Sequence, residues 1–161
     1  MIYLIDHQDS FTWNVQHQFS NFDEVYCTNY FEINENKLKN SNVIVFSPGP
    51  GSPKDYPLTS KIYNKYKGKK KIFHGYQSKV KVTNQSEIFK KNMLFKVGRY
   101  HSLKLYEPFK SKNIKISMRC SKSNIAMAIE DCKNKIFGFQ FHPESFLTEN
   151  GNFIIKKILS A

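Results

Sequence analysis

The sequence predicts an α/β fold, with a sheet that is parallel in its first half and takes antiparallel additions from Val80 onward. Three observations predict it. Up to Tyr66, short apolar runs alternate with amphipathic stretches, the pattern of strand–helix units in a parallel sheet. From Val80 the apolar runs follow one another closely, with no helical stretch between them. A last amphipathic stretch, Asn152 to Leu159, closes the chain.

The elements follow in order. Ile2 to Ile5 is a short apolar run that reads as a buried strand. It reaches Asp6 at once and has no basic leader, so it is expected to be a first strand and not a signal peptide. Asp9 or Ser10 is placed to cap the next helix, in which Phe11, Val15 and Phe19 share a face. Val25-Tyr26-Cys27 and Val43-Ile44-Val45-Phe46 read as further strands, the latter stopped by Ser47-Pro48-Gly49-Pro50-Gly51-Ser52-Pro53. A helix is expected from about Asp55 to Tyr66, with Ile62 and Tyr66 on one face and Gly68 as its stop. The later strand-like runs are Val80–Val82, Phe95–Val97, Leu103–Leu105, Ile114–Met118, Ile125–Ile129 and Ile136–Phe141. Ile114 to Met118 alternates as a half-exposed antiparallel strand does. In the closing helix, Ile154 and Ile158 share a face, with Ile155 and Leu159 beside them.

At 161 residues and 40% hydrophobic content, the chain is expected to form one domain over residues 1–161 with a real core. No run approaches the roughly 18 apolar residues of a membrane span, so no membrane partner is expected. Cys27, Cys120 and Cys132 are odd in number and lack metal-ligand spacing, which suits free thiols in a reducing cytoplasm. The formal charge of +12 raises nucleic-acid binding as a reading. Against it, the only arginines are Arg99 and Arg119, and the lysines are spread along the chain. A solvated basic surface is the reading preferred, with no nucleic-acid partner.

Three segments carry candidate chemistry. Ser47 to Gly51 directly follows an apolar strand; such glycines either make a tight turn or bring backbone N–H groups to a ligand or an oxyanion. Phe139-Gln140-Phe141-His142-Pro143-Glu144-Ser145 ends another strand. In extended backbone, residues i and i+2 point the same way, so Glu144 can orient the His142 imidazole and stabilise its protonated form. Val97-Gly98-Arg99-Tyr100-His101-Ser102-Leu103, taken alone, is a glycine-broken strand pair.

Together, and in order, these segments resemble the class I glutamine amidotransferases. With the opening Leu4-Ile5-Asp6-His7-Gln8-Asp9-Ser10-Phe11-Thr12, they are similar to the glutaminase subunits of anthranilate and aminodeoxychorismate synthases. Leu147-Thr148-Glu149 before the last helix also matches. The resemblance implies a flavodoxin-like sheet and amide hydrolysis by a Cys-His-Glu triad, with ammonia passed to a chorismate-using partner subunit. It makes His142 the general base and Glu144 its orienting acid. It places Gly49, Pro50 and Gly51 along the glutamine site, and has Ser102 and Leu103 offer backbone groups to the substrate. No cofactor or metal is implied.

The chain departs from that family at the nucleophile. The family's cysteine stands in a Gly-x-Cys-x-Gly elbow between a central strand and a helix, and none of the three cysteines has such flanks. Lys71-Ile72-Phe73-His74-Gly75-Tyr76-Gln77 can be a degraded elbow, with Phe73 at the cysteine position. Alternatively, His74-Gly75 and Ser78 match a later His-Gly-x-x-Ser motif. This second alignment keeps register on to Val97-Gly98-Arg99 and is preferred. It makes the sheet one truncated by loss of a central strand, the elbow and the following helix, between about Gly68 and Ile72. Loss of an inner strand leaves two edges with unpaired backbone groups, so the sheet must close up or recruit a segment. Lys70 to Phe73 is the nearby candidate.

Overall fold

The structure, a computed structural model, describes residues 1–51, 53–66, 71–73, 79–98, 104–109 and 111–161. Among these, nine strands form one sheet. The parallel part consists of β1 (Ile2–Asp6), β2 (Val25–Asn29), β3 (Val43–Phe46) and β4 (Lys71–Phe73). The remaining strands are β5 (Val80–Val82), β6 (Leu94–Phe95), β7 (Lys115–Cys120), β8 (Ala126–Asp131) and β9 (Ile136–Phe139). The order across the sheet is β2-β1-β3-β4-β9-β8-β7-β5-β6. Strands β2, β1, β3, β4 and β9 run parallel, and the pairs from β9 outward are antiparallel.

Strand parity divides the core into two layers. Ile2, Leu4, Val43, Val45, Phe137, Phe139 and Phe141 face helices α1 (Thr12–Ser20) and α4 (Gly151–Leu159), through Val15, Phe19, Ile154, Ile155 and Ile158. Tyr3, Ile5, Ile44 and Phe46 face the other way, onto Leu38 of α2 (Glu35–Asn40) and Ile62 and Tyr66 of α3 (Pro57–Tyr66). No helix among the described residues is long and apolar enough to cross a membrane.

The sheet closes on the segment that stood nearest the expected gap. β4 pairs with β3 on one side, Ile44 opposite Ile72, and with β9 on the other, Ile72 opposite Ile136. It is three residues long, and only six residues separate its end from Val80.

Four sequence expectations are corrected. Neither Asp9 nor Ser10 caps α1: its N-cap is Phe11, which has no side-chain cap, while Asp9 Oδ1 accepts from the Phe11 N–H at 2.9 Å in the preceding turn. β7 is not half-exposed, because Ser117 is buried along with Ile116 and Met118; the strand is interior, between β5 and β8. The helix expected from Asp55 begins at Pro57, after a 3-10 turn over Pro53–Asp55. Lys104 and Leu105 belong to no strand, and Leu103 lies outside the described residues. Gly68, the expected helix stop, also lies outside them.

Candidate functional site

Parallel strands end at one edge of the sheet, and loops there converge. β3 and β9 therefore deliver two described segments, Ser47–Gly51 and Phe141–Ser145, on either side of the end of β4. They are two strand spacings apart, about 10 Å.

At the end of β9, His142 Nδ1 and Glu144 Oε1 are hydrogen-bonded, and both side chains are nearly fully buried. They meet as the sequence led one to expect, but within a turn after the end of β9 and not in an extended segment. Long-range contacts hold this turn. The His142 carbonyl accepts from Thr148 Oγ1 at 2.5 Å and from the Ser145 N–H at 3.2 Å. Thr148 Oγ1 in turn accepts from the Gly98 N–H at 3.4 Å. Gln18 Nε2 on α1 donates to the Pro143 carbonyl at 2.9 Å, and the Phe11 ring lies 5.0 Å from the imidazole, centroid to centroid. Gly151, the first residue of α4, is packed so closely that a Cβ there would stand 1.9 Å from the Pro143 oxygen. An open cavity of about 350 Å³ beside α1 is lined by Asn14, His17, Gln18, Asn21, Glu144 and Asn152.

At the end of β3, Ser47 is fully buried. Its N–H donates to the Ile5 carbonyl at 2.9 Å, and its Oγ accepts from the His7 N–H at 2.8 Å. Ser47 Oγ also donates to the Pro48 carbonyl at 2.6 Å. Gly51 has φ +80°, the left-handed region that glycine adopts without a Cβ clash. The Tyr56 hydroxyl donates to the Pro50 carbonyl at 2.5 Å. Gly49, Pro50 and Gly51 thus form an anchored turn at the same sheet edge as the dyad. Ser102 and Leu103, expected to flank the substrate, lie outside the described residues, as do His74, Gly75 and Ser78.

The three thiols lie away from this edge or within the core. Cys27 is on β2, four strand spacings from β9 or about 19 Å. Burial, with the Asp6 charge adding to it, pushes its thiol up to about 11. Cys132 follows β8 at the opposite edge, where Asp131 pairs with Ile136 at the start of β9. Burial and then the Glu130 and Glu87 charges push its thiol up to about 11 as well. The thiolate is the attacking species, so neither is activated at neutral pH. Cys120 ends β7, buried in the core, and its Sγ accepts from the Ser123 N–H at 3.4 Å.

Residues 3–73 and, in an overlapping second match, 58–161 fit the family described as glutamine amidotransferase class-I. The chain belongs to this family. The two matches overlap over residues 58–73, across α3 and β4. The "Bifunctional protein TrpGD" of Thermotoga maritima is 31% identical over 190 residues, covering 99% of this chain and 32% of its own length. The chain thus spans about a third of that relative. "Anthranilate synthase component 2" of Lactococcus lactis is 30% identical over 188 residues, covering 99% of this chain and 94% of the relative. An alignment of 190 positions over 161 residues passes about 30 positions that this chain lacks. Among solved structures, a GMP synthase protein of Thermoplasma acidophilum superposes with TM-score 0.82 at 14% identity, over 99% of this chain and 92% of the other. PurLQS from Thermotoga maritima superposes with TM-score 0.69, also at 14% identity, over 99% and 97%. These two likenesses concern the fold, which is that of glutamine amidotransferases in its parallel sheet with antiparallel additions.

Sequence reasoning singled out His142 and Glu144 but not the residues that hold them. Thr148 was visible only as part of a motif match. Gln18 and Gly151 carry no local pattern that points to the dyad, because their contacts reach it from α1 and α4.

Proposed function

We propose that this class I amidotransferase domain, spanning residues 1–161, is the component of an anthranilate synthase that stands in the place of its glutaminase and does not itself hydrolyse glutamine. The observation that carries the reading is the central slot of the sheet. There a three-residue strand replaces the strand, elbow and helix that would present a cysteine beside His142. His142 keeps its Glu144 partner, and the turn at Gly49, Pro50 and Gly51 keeps its anchors, so a glutamine site survives on either side of the missing nucleophile. His142 is the base and Glu144 the acid that orients it; without a thiol to activate there is no thioester route. Ser102 and Leu103 complete the glutamine site in this reading.

The partner is a chorismate-using synthase subunit. Anthranilate is favoured over aminodeoxychorismate as the product because relatives that span the whole chain carry anthranilate synthase names. In this assembly the ammonia comes from solution. The test is to co-purify the chain with such a partner and to assay anthranilate formation. The expected result is a stable complex that works with ammonium salts and not with glutamine. Glutamine-dependent anthranilate formation, or failure of the two chains to associate, sinks the proposal. The second outcome would favour the alternative of a non-catalytic binding or regulatory protein derived from this fold.

A further inference from the structure

His7 takes no part in the dyad, yet it is the buried polar residue most closely engaged with the Ser47–Gly51 turn. It follows β1 directly and is 4% exposed. Its backbone N–H is given to Ser47 Oγ at 2.8 Å. Gly49 is seated on it: a Cβ at Gly49 would lie 2.5 Å from His7 Cβ and 2.8 Å from the His7 carbonyl oxygen. The imidazole Nε2 is hydrogen-bonded to Thr59 Oγ1 on α3 at 2.8 Å. Tyr30 stacks on the ring at 5.8 Å, while Tyr56 meets it edge-on at 4.8 Å and Phe46 lies at 6.2 Å. Tyr56 is also the residue that binds the Pro50 carbonyl. His7 therefore touches both ends of the turn, one end through its own backbone and the other through Tyr56.

The other ring nitrogen, Nδ1, is buried without a hydrogen-bond partner among the described residues. A buried polar atom left so is costly. The Ser47 and Ile5 backbones lie close to the imidazole and favour its protonated form. Asp6 on β1 does the same by its charge, and burial opposes all three and dominates, holding the imidazole below its ordinary value. The remaining groups around the ring are the Tyr30 and Tyr56 phenols and the Thr59 hydroxyl.

We propose that His7 is a positioning residue for the Ser47–Gly51 turn, holding it in place while neutral and shifting it when the ring takes a second proton. The proposal rests on the reading of that turn as the glutamine site: protonation of His7 then weakens binding of an amino-acid carboxamide there.

The test follows the backbone amides of Gly49 and Gly51 and the His7 ring by nuclear magnetic resonance, from about pH 7.5 to about pH 5, across the imidazole range. Binding of L-glutamine is measured by calorimetry at the same pH values. In the wild type the two glycine amides move together with the His7 titration, and glutamine binding weakens by roughly tenfold or more over that fall in pH. In His7→Phe, which keeps a ring and removes both nitrogens, amides and affinity lose this pH dependence. Thr59→Val, a milder change should His7→Phe not fold, displaces the same amides by freeing Nε2. Glycine amides that ignore the His7 titration overturn the proposal, as does an unchanged pH dependence in His7→Phe. If the amides follow His7 but no glutamine binds at any pH, positioning stands and the reading of the turn as a glutamine site fails.

Discussion

The ends of β9 and β4 stand side by side at one edge of the sheet and are built differently. The β9 end holds a buried His–Glu pair, braced by Thr148, by Gln18 from α1 and by the close seat of Gly151 on α4. β4 is three residues long, with one pairing register to β9, and leads to β5 in six residues. None of these braces comes from the stretch between α3 and β5, so shortening that stretch leaves them untouched. On the proposed reading, half of a catalytic apparatus keeps its geometry without the other half. The sheet itself persists because any short extended segment can satisfy the backbone groups that a missing strand leaves open.

The sharpest way to break this comparison is to restore the missing half. Replacing the stretch from about Gly68 to Ile72 with the corresponding segment of the Lactococcus relative should produce glutamine hydrolysis that, on the proposed reading, the native chain lacks. Removing a triad's nucleophile costs on the order of 10⁶ in turnover, so the gain should span several orders of magnitude. Ammonia release from glutamine is the measurement. A correctly folded chimera that stays inactive would mean that the β9 end or the Gly49–Gly51 turn is not competent.

A second prediction concerns β4. Ile72→Pro removes a backbone donor from a strand paired on both sides. A proline in an interior strand should destabilise by about 3 kcal/mol or more. Urea unfolding gives the value. A loss within about 0.5 kcal/mol would show that β4 only fills space and does not hold the sheet together.

The sequence made one of these ends legible and the other only in part. The His142–Glu144 pairing was legible from their spacing of two, although a turn closed by the Ser145 N–H on the His142 carbonyl, and not an extended strand, brings them together. Strands β1 and β3 followed from the apolar runs Ile2–Ile5 and Val43–Phe46. Closure by Lys71–Phe73 was open to sequence reasoning only as a candidate, since pairing to β3 and β9 is a long-range choice. Helix α2 was missed because Leu38 is its only buried residue, so it has no periodicity to read. Its signal was Asn34, whose side chain caps the helix by accepting from the Lys37 N–H at 3.0 Å. The burial of Ser117 went unseen because alternation alone cannot show that both faces of β7 are covered.

A smaller effect tests the bracing of the β9 end. Gly151→Ala places a methyl group against the Pro143 carbonyl, a backbone atom with little freedom to yield. Overpacking of this kind costs about 1–3 kcal/mol. The Cβ would also approach Gln18 Nε2 at 2.9 Å, so the Gln18–Pro143 hydrogen bond should weaken with it. Thermal unfolding should show the loss, and the His142 ring resonances should shift. A destabilised variant with unmoved His142 resonances would mean that α4 supports the fold without supporting the dyad.

The smallest expected effect lies one strand further out, where Glu130 of β8 pairs with Phe137 of β9 and ties the antiparallel strands to the dyad's strand. Glu130 is buried, and burial raises its carboxyl above the usual 4.5, with the Glu87 charge adding to it. The Glu87 N–H and the Ser86 hydroxyl, from which it accepts hydrogen bonds, pull the other way and do not offset burial. The folded state therefore binds this proton more tightly than the unfolded chain. By linkage, the resulting stability is fully present below the unfolded value and is lost as pH rises through the folded one. Glu130→Gln removes the titration while leaving one oxygen to accept from the Glu87 N–H. Urea unfolding of both proteins from about pH 4 to about pH 7 isolates the residue and its coupled neighbour Glu87, because titrating groups distant from Glu130 cancel in the difference. Wild-type stability minus variant stability should fall as pH rises through that window and then level off. A difference that is flat, or that rises with pH, would mean that the Glu87 and Ser86 donors outweigh burial and that Glu130 is held as a carboxylate.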